Sequence, residues 1–385
     1  MQYGRTLISN IKNFPLPKFT LFQKLEKPIG LYNINLNCYM NSVIQCLFHM
    51  TEFSEYFINK DFSQIEQPIS CELKNIFKTL KDRNDGKTFN LKKFKEIMGE
   101  FDDSFSESNG ADAADLLSYI FSSLSGEQTN YIGLDISMMS RLDSNEKEDV
   151  FKDCKDKVGD DSALIYIMNY IQTEYKCFSF EMKKIGGKNT RIFHKPFYSF
   201  ENKCFIEFDL EELLKKENQL NLNQIFYYYF NKQNKSKEFC PQCNKNTNCN
   251  SETNLYKISD YLIIILKQKK NKKIKIDYDE NINIANFVED FRESKIKKSY
   301  SEYFFRLVGV ILHLGDSSSY GHYISCCRNC NNEKKIEKVY LFNDAIVKEV
   351  EFNQIKQYTP YILFYEKYYD KSLKYNYFKR YLNTK

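Results

Sequence analysis

Near residue 178 the apolar residues of this chain change their period, and a fold of one layer cannot serve both halves. Upstream they fall three and four apart between charged neighbours, as in Cys71-Glu-Leu-Lys-Asn-Ile-Phe-Lys-Thr-Leu80, which is the spacing of one helix face. This pattern predicts several surface-packed helices from Phe53 to Phe101 and a further helical run from Ser162 to Ile171 that leads into Cys177. Gly110-Ala-Asp112-Ala-Ala-Asp115-Leu-Leu-Ser-Tyr-Ile-Phe121 predicts another helix start, with Asp112 and Asp115 one turn apart where carboxylates are electrostatically favoured. Downstream, Cys204 to Leu210 alternates, while Tyr261 to Leu266, Phe304 to Leu312 and Tyr361 to Tyr365 are apolar runs of strand length. Helices first and strands second imply an α+β protein whose site lies in the cleft between two layers. Residues 123–161, polar and aperiodic, read as a surface insertion.

The stretch from Gly30 to Met50 carries the first chemistry. Its first half holds a Gly and three Asn and reads as a loop. From Cys38 onward Met40, Val43, Ile44, Leu47 and Phe48 recur as one buried helix face. Cys38 therefore sits at a helix N-terminus, where unpaired N–H groups and the helix dipole favour an anion and a thiol of ordinary pKa about 8.5 becomes a nucleophile. Cys46, further along, reads as core.

The chain has four histidines. His49 closes the Cys38 helix, His194 lies in a basic loop and His313 ends an apolar strand. His322 stands apart, because the flexible loop Gly315-Asp-Ser-Ser-Ser-Tyr-Gly321 runs straight through it into a strand. Gly321 leaves room for a substrate backbone beside the imidazole, and the strand fixes where the ring points. Tyr340-Leu-Phe-Asn343-Asp344 then supplies an amide and a carboxylate, either able to orient that imidazole. A cysteine nucleophile, a histidine base and an orienting group are what nucleophilic acyl transfer needs, and the Asn33 amide is placed to stabilise the oxyanion.

Bulk properties narrow the alternatives. A net charge of +5 over 385 residues gives no case for a nucleic-acid or membrane partner, and no apolar stretch suggests a signal peptide or membrane span. A cytoplasmic or nuclear chain is expected, whose twelve cysteines are free thiols, metal ligands or catalytic groups rather than disulfides. Cys326, Cys327 and Cys330 form too small a group for a metal site, and the strand after His322 explains two of them as core.

These segments together resemble the ubiquitin-specific proteases. Gly30-Leu-Tyr-Asn33 to Cys38-Tyr-Met-Asn-Ser-Val-Ile-Gln-Cys-Leu is similar to that family's Cys box, and Gly321-His-Tyr-Ile-Ser with Tyr340-Leu-Phe-Asn-Asp resembles its His box. Tyr361-Ile-Leu-Phe-Tyr365 resembles its terminal strand, Gly110 to Leu117 its acidic helix start, and Leu262 to Lys267 the strand before its first blocking loop. The resemblance implies a papain-like fold over residues 28–368, between an N-terminal extension of 1–27 and a basic, aromatic tail of 369–385. Within it a helical thumb covers about 28–171, stranded fingers about 172–258 and an antiparallel palm about 259–368.

By the same resemblance the chain cleaves after the C-terminal glycine of ubiquitin. Cys38 is then the nucleophile, His322 the base, Asn343 the orienting residue with Asp344 beside it, and Asn33 the oxyanion donor. Asp112 and Asp115 meet the cationic ubiquitin tail, and Gly321 and Tyr323 line the narrow channel for its two glycines. The partners implied are ubiquitin and ubiquitinated proteins, acted on by a monomer. A scaffold that binds ubiquitin without cleaving it and a protease for another ubiquitin-like modifier are the rival readings.

Asn35 and Asn37 replace the family's usual Gly and Thr, so that turn must be reached with Asn, which tolerates left-handed backbone. No cofactor is required for the chemistry. The family's fingers hold structural zinc between two Cys-x-x-Cys pairs, of which Cys240-Pro-Gln-Cys243 is one, but Phe180 replaces the partner of Cys177 in the other. Cys177, Cys240 and Cys243 make three ligands of the four that zinc wants. Cys249 and Cys204 are candidates for the fourth that the resemblance does not place there. Without metal, strand pairing and the aromatics Phe226 and Tyr227 to Phe230 would hold this region.

Overall fold

The computed structural model describes residues 28–368 apart from 64–65, 83–86, 107–109, 129–137, 141–146, 157–161, 216, 218, 231, 269–274, 290–299, 318–319 and 332–335. The N-terminal extension and the C-terminal tail lie outside the described residues.

Thr51–Asn59, Pro68–Asp82 and Lys92–Phe101 realise the helical period that begins at Phe53. With Cys38–Phe48 and Ala113–Gln128 they build the first layer. Pro68 opens its helix where a missing N–H costs nothing. The next two free donors of that helix, the N–H groups of Ile69 and Ser70, both reach the Glu127 carboxylate at 2.9 Å, which ties two helices together end to side. Asp112 does the same locally, accepting the Ala114 N–H at 2.7 Å.

The second layer is an eight-stranded sheet. Its order is Ile346–Val350, Ile336–Asn343, Tyr320–Asn331, Phe304–Ser317, Pro360–Lys367, Tyr261–Lys267 and Ile206–Asp209, with Asn281–Asn283 paired onto Phe304–Ser317. Most of its pairings are antiparallel, yet the central strands are apolar throughout, and the reason is a core on each face. Tyr261, Ile263 and Ile265 face the helical layer, while Leu262, Ile264 and Leu266 face a second core. The Leu222–Phe230 helix seals that second core, with Phe226 5.3 Å from the rings of both Phe208 and Phe287. These aromatics brace the eight-stranded sheet and share their core with Ile171 and Leu255 of the strands that carry Cys177 and Cys249. Truncating Ile263 to Ala would cost roughly 2–5 kcal/mol.

A separate five-stranded sheet runs Gln233–Cys240, Lys245–Lys257, Asn169–Cys177, Phe197–Lys203 and Met138–Ser140. It corrects the helical reading of Ser162 to Ile171. Only Ala163–Tyr166 makes a helical turn, and from Asn169 the chain is a strand, because pairing on both edges outweighs the local period. The reading of 123–161 as a surface insertion also changes. The Ala113–Gln128 helix runs through its first residues with Leu124 buried, and the Lys147–Asp156 helix buries Val150 and packs Phe151 against Tyr170, Phe200 and Tyr256. Beyond Cys177 a two-stranded ribbon, Phe180–Ile185 with Lys188–Phe193, turns at the left-handed Gly186 and Gly187. Among the described residues no helix is long and apolar enough to cross a membrane.

Candidate active site

Cys38 is the first residue of a helix whose positions 38–47 are all buried, on every face rather than on one stripe. Such a helix must find partners for its polar residues internally, and Gln45 and Asn41 do so, although the buried Tyr39 hydroxyl has none among the described residues. Gln45 donates to the Ile29 carbonyl at 2.8 Å and Asn41 donates to the Asp344 carboxylate at 2.8 Å. Asn37, just before the helix, turns its side-chain oxygen back to the Ile34 N–H at 2.7 Å instead of capping the first turn. The positive end of the helix is thus left facing the Cys38 sulfur. The preceding turn is left-handed at Asn35 (φ 52°), as expected, but its second left-handed residue is Leu36 (φ 60°) and not Asn37 (φ −90°). A leucine there stores strain of about 1–3 kcal/mol, which the surrounding bonds must hold.

Those bonds come from the turn after Asn343. Leu31 donates its N–H to the Asp344 carbonyl at 3.0 Å, and a Cβ on Gly30 would meet the Ala345 carbonyl oxygen at 2.6 Å. Only glycine lets the loop lie this close. Asp344 itself is left-handed (φ 51°) in the two-residue link between strands Ile336–Asn343 and Ile346–Val350, which sends its carboxylate back toward the Cys38 loop. There Asp344 Oδ2 accepts from the Asn33 amide at 2.8 Å while Oδ1 accepts from Asn41, and Asn33 Oδ1 accepts the Asn37 N–H at 3.0 Å. The Asn33 amide is pinned at both ends, with one of its two N–H bonds committed to Asp344. Asn41 went unnoticed in the sequence, although a polar residue one turn after Cys38 inside a buried helix is a signal of such a role.

His322 Nε2 meets Asn343 Oδ1 at 2.6 Å, and Asp344 Oδ2 is further off at 3.9 Å. Register explains the meeting, since Ser325 opposite Phe342 brings both residues to one end of adjoining strands. Burial pulls the imidazole toward neutrality, but the Cys38 sulfur within hydrogen-bonding reach, Asn343 and Asp344 outweigh it and push the His322 pKa up to about 9. The Tyr323 N–H points at Cys38 Sγ from 3.5 Å. Cysteine, imidazole, amide and carboxylate from three separated segments therefore converge.

The expected substrate contacts divide. Asp112 accepts the Tyr361 hydroxyl at 2.7 Å, and withdrawal from water and the Asp112 carboxylate together hold the Asp115 carboxyl above its usual range. Gly321 is exposed beside His322, whereas the Tyr323 ring is buried against His313, so the backbone of Tyr323 and not its ring faces the nucleophile.

A second cluster lies where the ribbon joins the five-stranded sheet. The ligand atoms of Cys177, His194, Cys240 and Cys243 all lie within 4.8 Å of one another. Cys177 Sγ is 3.6 Å from Cys243 Sγ, and His194 Nδ1 is 3.7 Å from Cys240 Sγ and 3.1 Å from Cys243 Sγ. A tetrahedral metal with bonds of about 2.0–2.3 Å has edges of roughly 3.3–3.8 Å; the Cys177–Cys243 and His194–Cys240 separations match, the His194–Cys243 one is slightly short, and four such donors could hold one. Left-handed Asn244 (φ 53°) closes the Cys240–Cys243 turn, donating its N–H to the Cys240 carbonyl at 2.8 Å. The fourth group is His194, not Cys249 or Cys204. Cys249 is buried in the neighbouring strand, and Cys204 packs in the helical-layer core. The missed signal was the Gly186-Gly187 turn: equal steps back from it set His194 opposite Ser179, beside Cys177.

Comparison with known proteins bears on the whole arrangement. The chain is 24% identical to ubiquitin carboxyl-terminal hydrolase Usp2 of Drosophila melanogaster over 90% of its own length and 35% of that protein. It is 22% identical to ubiquitin carboxyl-terminal hydrolase 8 of Saccharomyces cerevisiae, over 87% of this chain and 70% of the yeast protein. It thus spans about a third of the fly relative. Among solved structures, the SAGA Ubp8/Sgf11/Sus1/Sgf73 DUB module bound to ubiquitin aldehyde shares the fold with a TM-score of 0.60 at 17% identity, over 95% of this chain and 73% of that one. This agrees with the α+β, papain-like architecture expected from the order of helices and strands. A sequence model of the ubiquitin carboxyl-terminal hydrolases matches residues 29–365, which take in both layers and every residue that meets at Cys38, and the chain belongs to that family.

Proposed function

We propose that this chain is a thiol-dependent deubiquitinase that hydrolyses the isopeptide or peptide bond after the C-terminal glycine of ubiquitin. One observation carries the reading: His322 lies between the sulfur of a helix-terminal cysteine and the side-chain oxygen of Asn343, 2.6 Å away. The Cys38 thiolate attacks the glycine carbonyl carbon, and the imidazolium of His322 protonates the leaving amine as the C–N bond breaks. The thioester that results is attacked by a water whose proton returns to His322, and cleavage of the C–S bond regenerates the thiolate. Asn343 holds the ring by accepting from Nε2. Asn33 donates its remaining N–H to the oxyanion, and Asp344 acts through Asn33 and Asn41 rather than through the imidazole.

The helical layer, the five-stranded sheet and the eight-stranded sheet are read as thumb, fingers and palm. Asp112 and Asp115 offer carboxylates to a cationic substrate tail. Cys177, His194, Cys240 and Cys243 would hold a structural zinc that fixes the end of the fingers without entering the chemistry.

The test is hydrolysis of ubiquitin linked through its C-terminus to a fluorogenic amine, beside the same conjugate of another ubiquitin-like modifier. Release by wild type from the ubiquitin conjugate, and none by Cys38→Ala, is expected. Preference for the other modifier would overturn the choice of substrate. Binding of ubiquitin without release would reduce the chain to a scaffold.

A further inference from the structure

Gly321 precedes the base, and the reason it must be glycine lies beneath the strand. A Cβ built on Gly321 would point inward, overlapping Nε2 of His313, with His313 Cε1 at 2.8 Å and the Leu314 carbonyl oxygen at 3.0 Å. His313 is the cross-strand partner of Tyr323, and their rings pack at a tilt of 35° with centroids 4.5 Å apart. The imidazole therefore has no cheap way to swing aside. Tyr361 packs beside both rings, at 6.3 Å from His313 and 6.1 Å from Tyr323, while its hydroxyl holds Asp112.

We propose that His313 is a positioning residue for the reaction, an internal platform that sets the height of Gly321, His322 and Tyr323 above the Phe304–Ser317 strand. This rests on Cys38 and His322 being the reacting pair. Gly321 drops onto the imidazole because it lacks a side chain, and Tyr323 is held by packing against the same ring. His322 lies between these two fixed points, so its distance to Cys38 and Asn343 follows from theirs, and so does the aim of the Tyr323 N–H at Cys38 Sγ, 3.5 Å away. The glycine is demanded by the histidine below it and not by a substrate above it.

A double-substitution cycle separates the two. Gly321→Ala, His313→Ala and the pair together are assayed with the fluorogenic ubiquitin conjugate, with thermal denaturation as a check on folding. Because a displacement near 1 Å costs about 100-fold in rate, Gly321→Ala is expected to lower kcat about 100-fold, and His313→Ala, which loosens without displacing, about 10-fold. Losses in kcat exceed changes in KM in both. Independent effects would multiply to about 1000-fold in the pair, but removing the imidazole opens the space that the added methyl group needs, so the pair should be no slower than His313→Ala alone.

A multiplied loss in the pair would overturn the proposal and return the demand for glycine to the substrate channel. If His313→Ala does not fold, His313→Asn, shorter than the ring, takes its place in the same cycle with the same two outcomes. An inactive wild type would sink the deubiquitinase reading instead. In that case the rate of Cys38 alkylation by iodoacetamide, measured across the same variants without substrate, still decides whether the two positions are coupled.

Discussion

Two of the places where cysteine and histidine meet among the described residues have opposite consequences for the sulfur. At Cys38 a single thiol faces one imidazole, and the back of that imidazole is occupied by Asn343. A helix N-terminus adjoins the sulfur, and the pair has one proton to move and one electron pair to give. At the end of the five-stranded sheet three thiols and the His194 imidazole gather within 4.8 Å of one another. Four soft and nitrogen donors grouped in this way suit a bound cation. The lesson is that reactivity comes from what is withheld around a cysteine as much as from what is supplied.

The sharpest way to break this contrast is at Asp344, which supplies no atom to the reaction and yet accepts both Asn33 and Asn41. Asp344→Ala should lower kcat about 100- to 1000-fold with KM nearly unchanged, as loss of a preorganised oxyanion donor does. Stopped assays over a range of conjugate concentrations will separate the two constants, and a change mainly in KM would show that Asp344 serves binding.

Next in size is the metal. Purified protein should carry one zinc per chain by elemental analysis, and His194→Ala should weaken its retention by more than the roughly 10- to 100-fold that outer-shell changes cost. His194→Cys should restore it, since a fourth thiolate completes the tetrahedron.

A smaller effect sharpens the catalytic half. With His322 raised to about 9 from an ordinary 6.5, the imidazolium persists through neutral pH, and kcat/KM should fall only as pH rises through about 9. The stability this charge contributes is complete below the ordinary value of 6.5 and is lost across the same rise to about 9. Asn343→Ala removes one of the contacts that raise His322, so a pH–rate profile should show the alkaline limb moved downward. An unmoved limb would mean that Asn343 only steers the ring. The smallest effect is expected of Cys249→Ser, which should leave zinc content unchanged although the residue is buried in the strand beside Cys177.

Much of this architecture was legible in the chain because local period and burial agree. The helices from Thr51 to Phe101 and the strand Tyr261–Lys267 follow their apolar patterns, and Cys38, His322 and Asn343 stand beside a glycine or a turn that marks them. What was not legible depends on contacts between distant segments. The strand beginning at Asn169 carries a helical-looking prefix and is decided by the two strands that pair with it. Val150 and Phe151 look like surface residues until Phe200 and Tyr256 are beside them. His194 needs the register of the ribbon, and Asn41 needs a carboxylate from a turn more than 300 residues later. Tyr323 shows the same limit, since only its cross-strand partner His313 reveals that its ring is buried while its N–H faces Cys38.

The central claim, that Cys38 attacks at the end of a ubiquitin tail, is tested most directly by one reaction. Wild type and Cys38→Ala are incubated with ubiquitin whose C-terminus carries a thiol-reactive warhead, and their intact masses are read. Wild type should gain the mass of one ubiquitin and Cys38→Ala none, and the modified peptide should map to the start of the Cys38–Phe48 helix. Equal labelling of the two proteins, or labelling at Cys177 or Cys243, would contradict it.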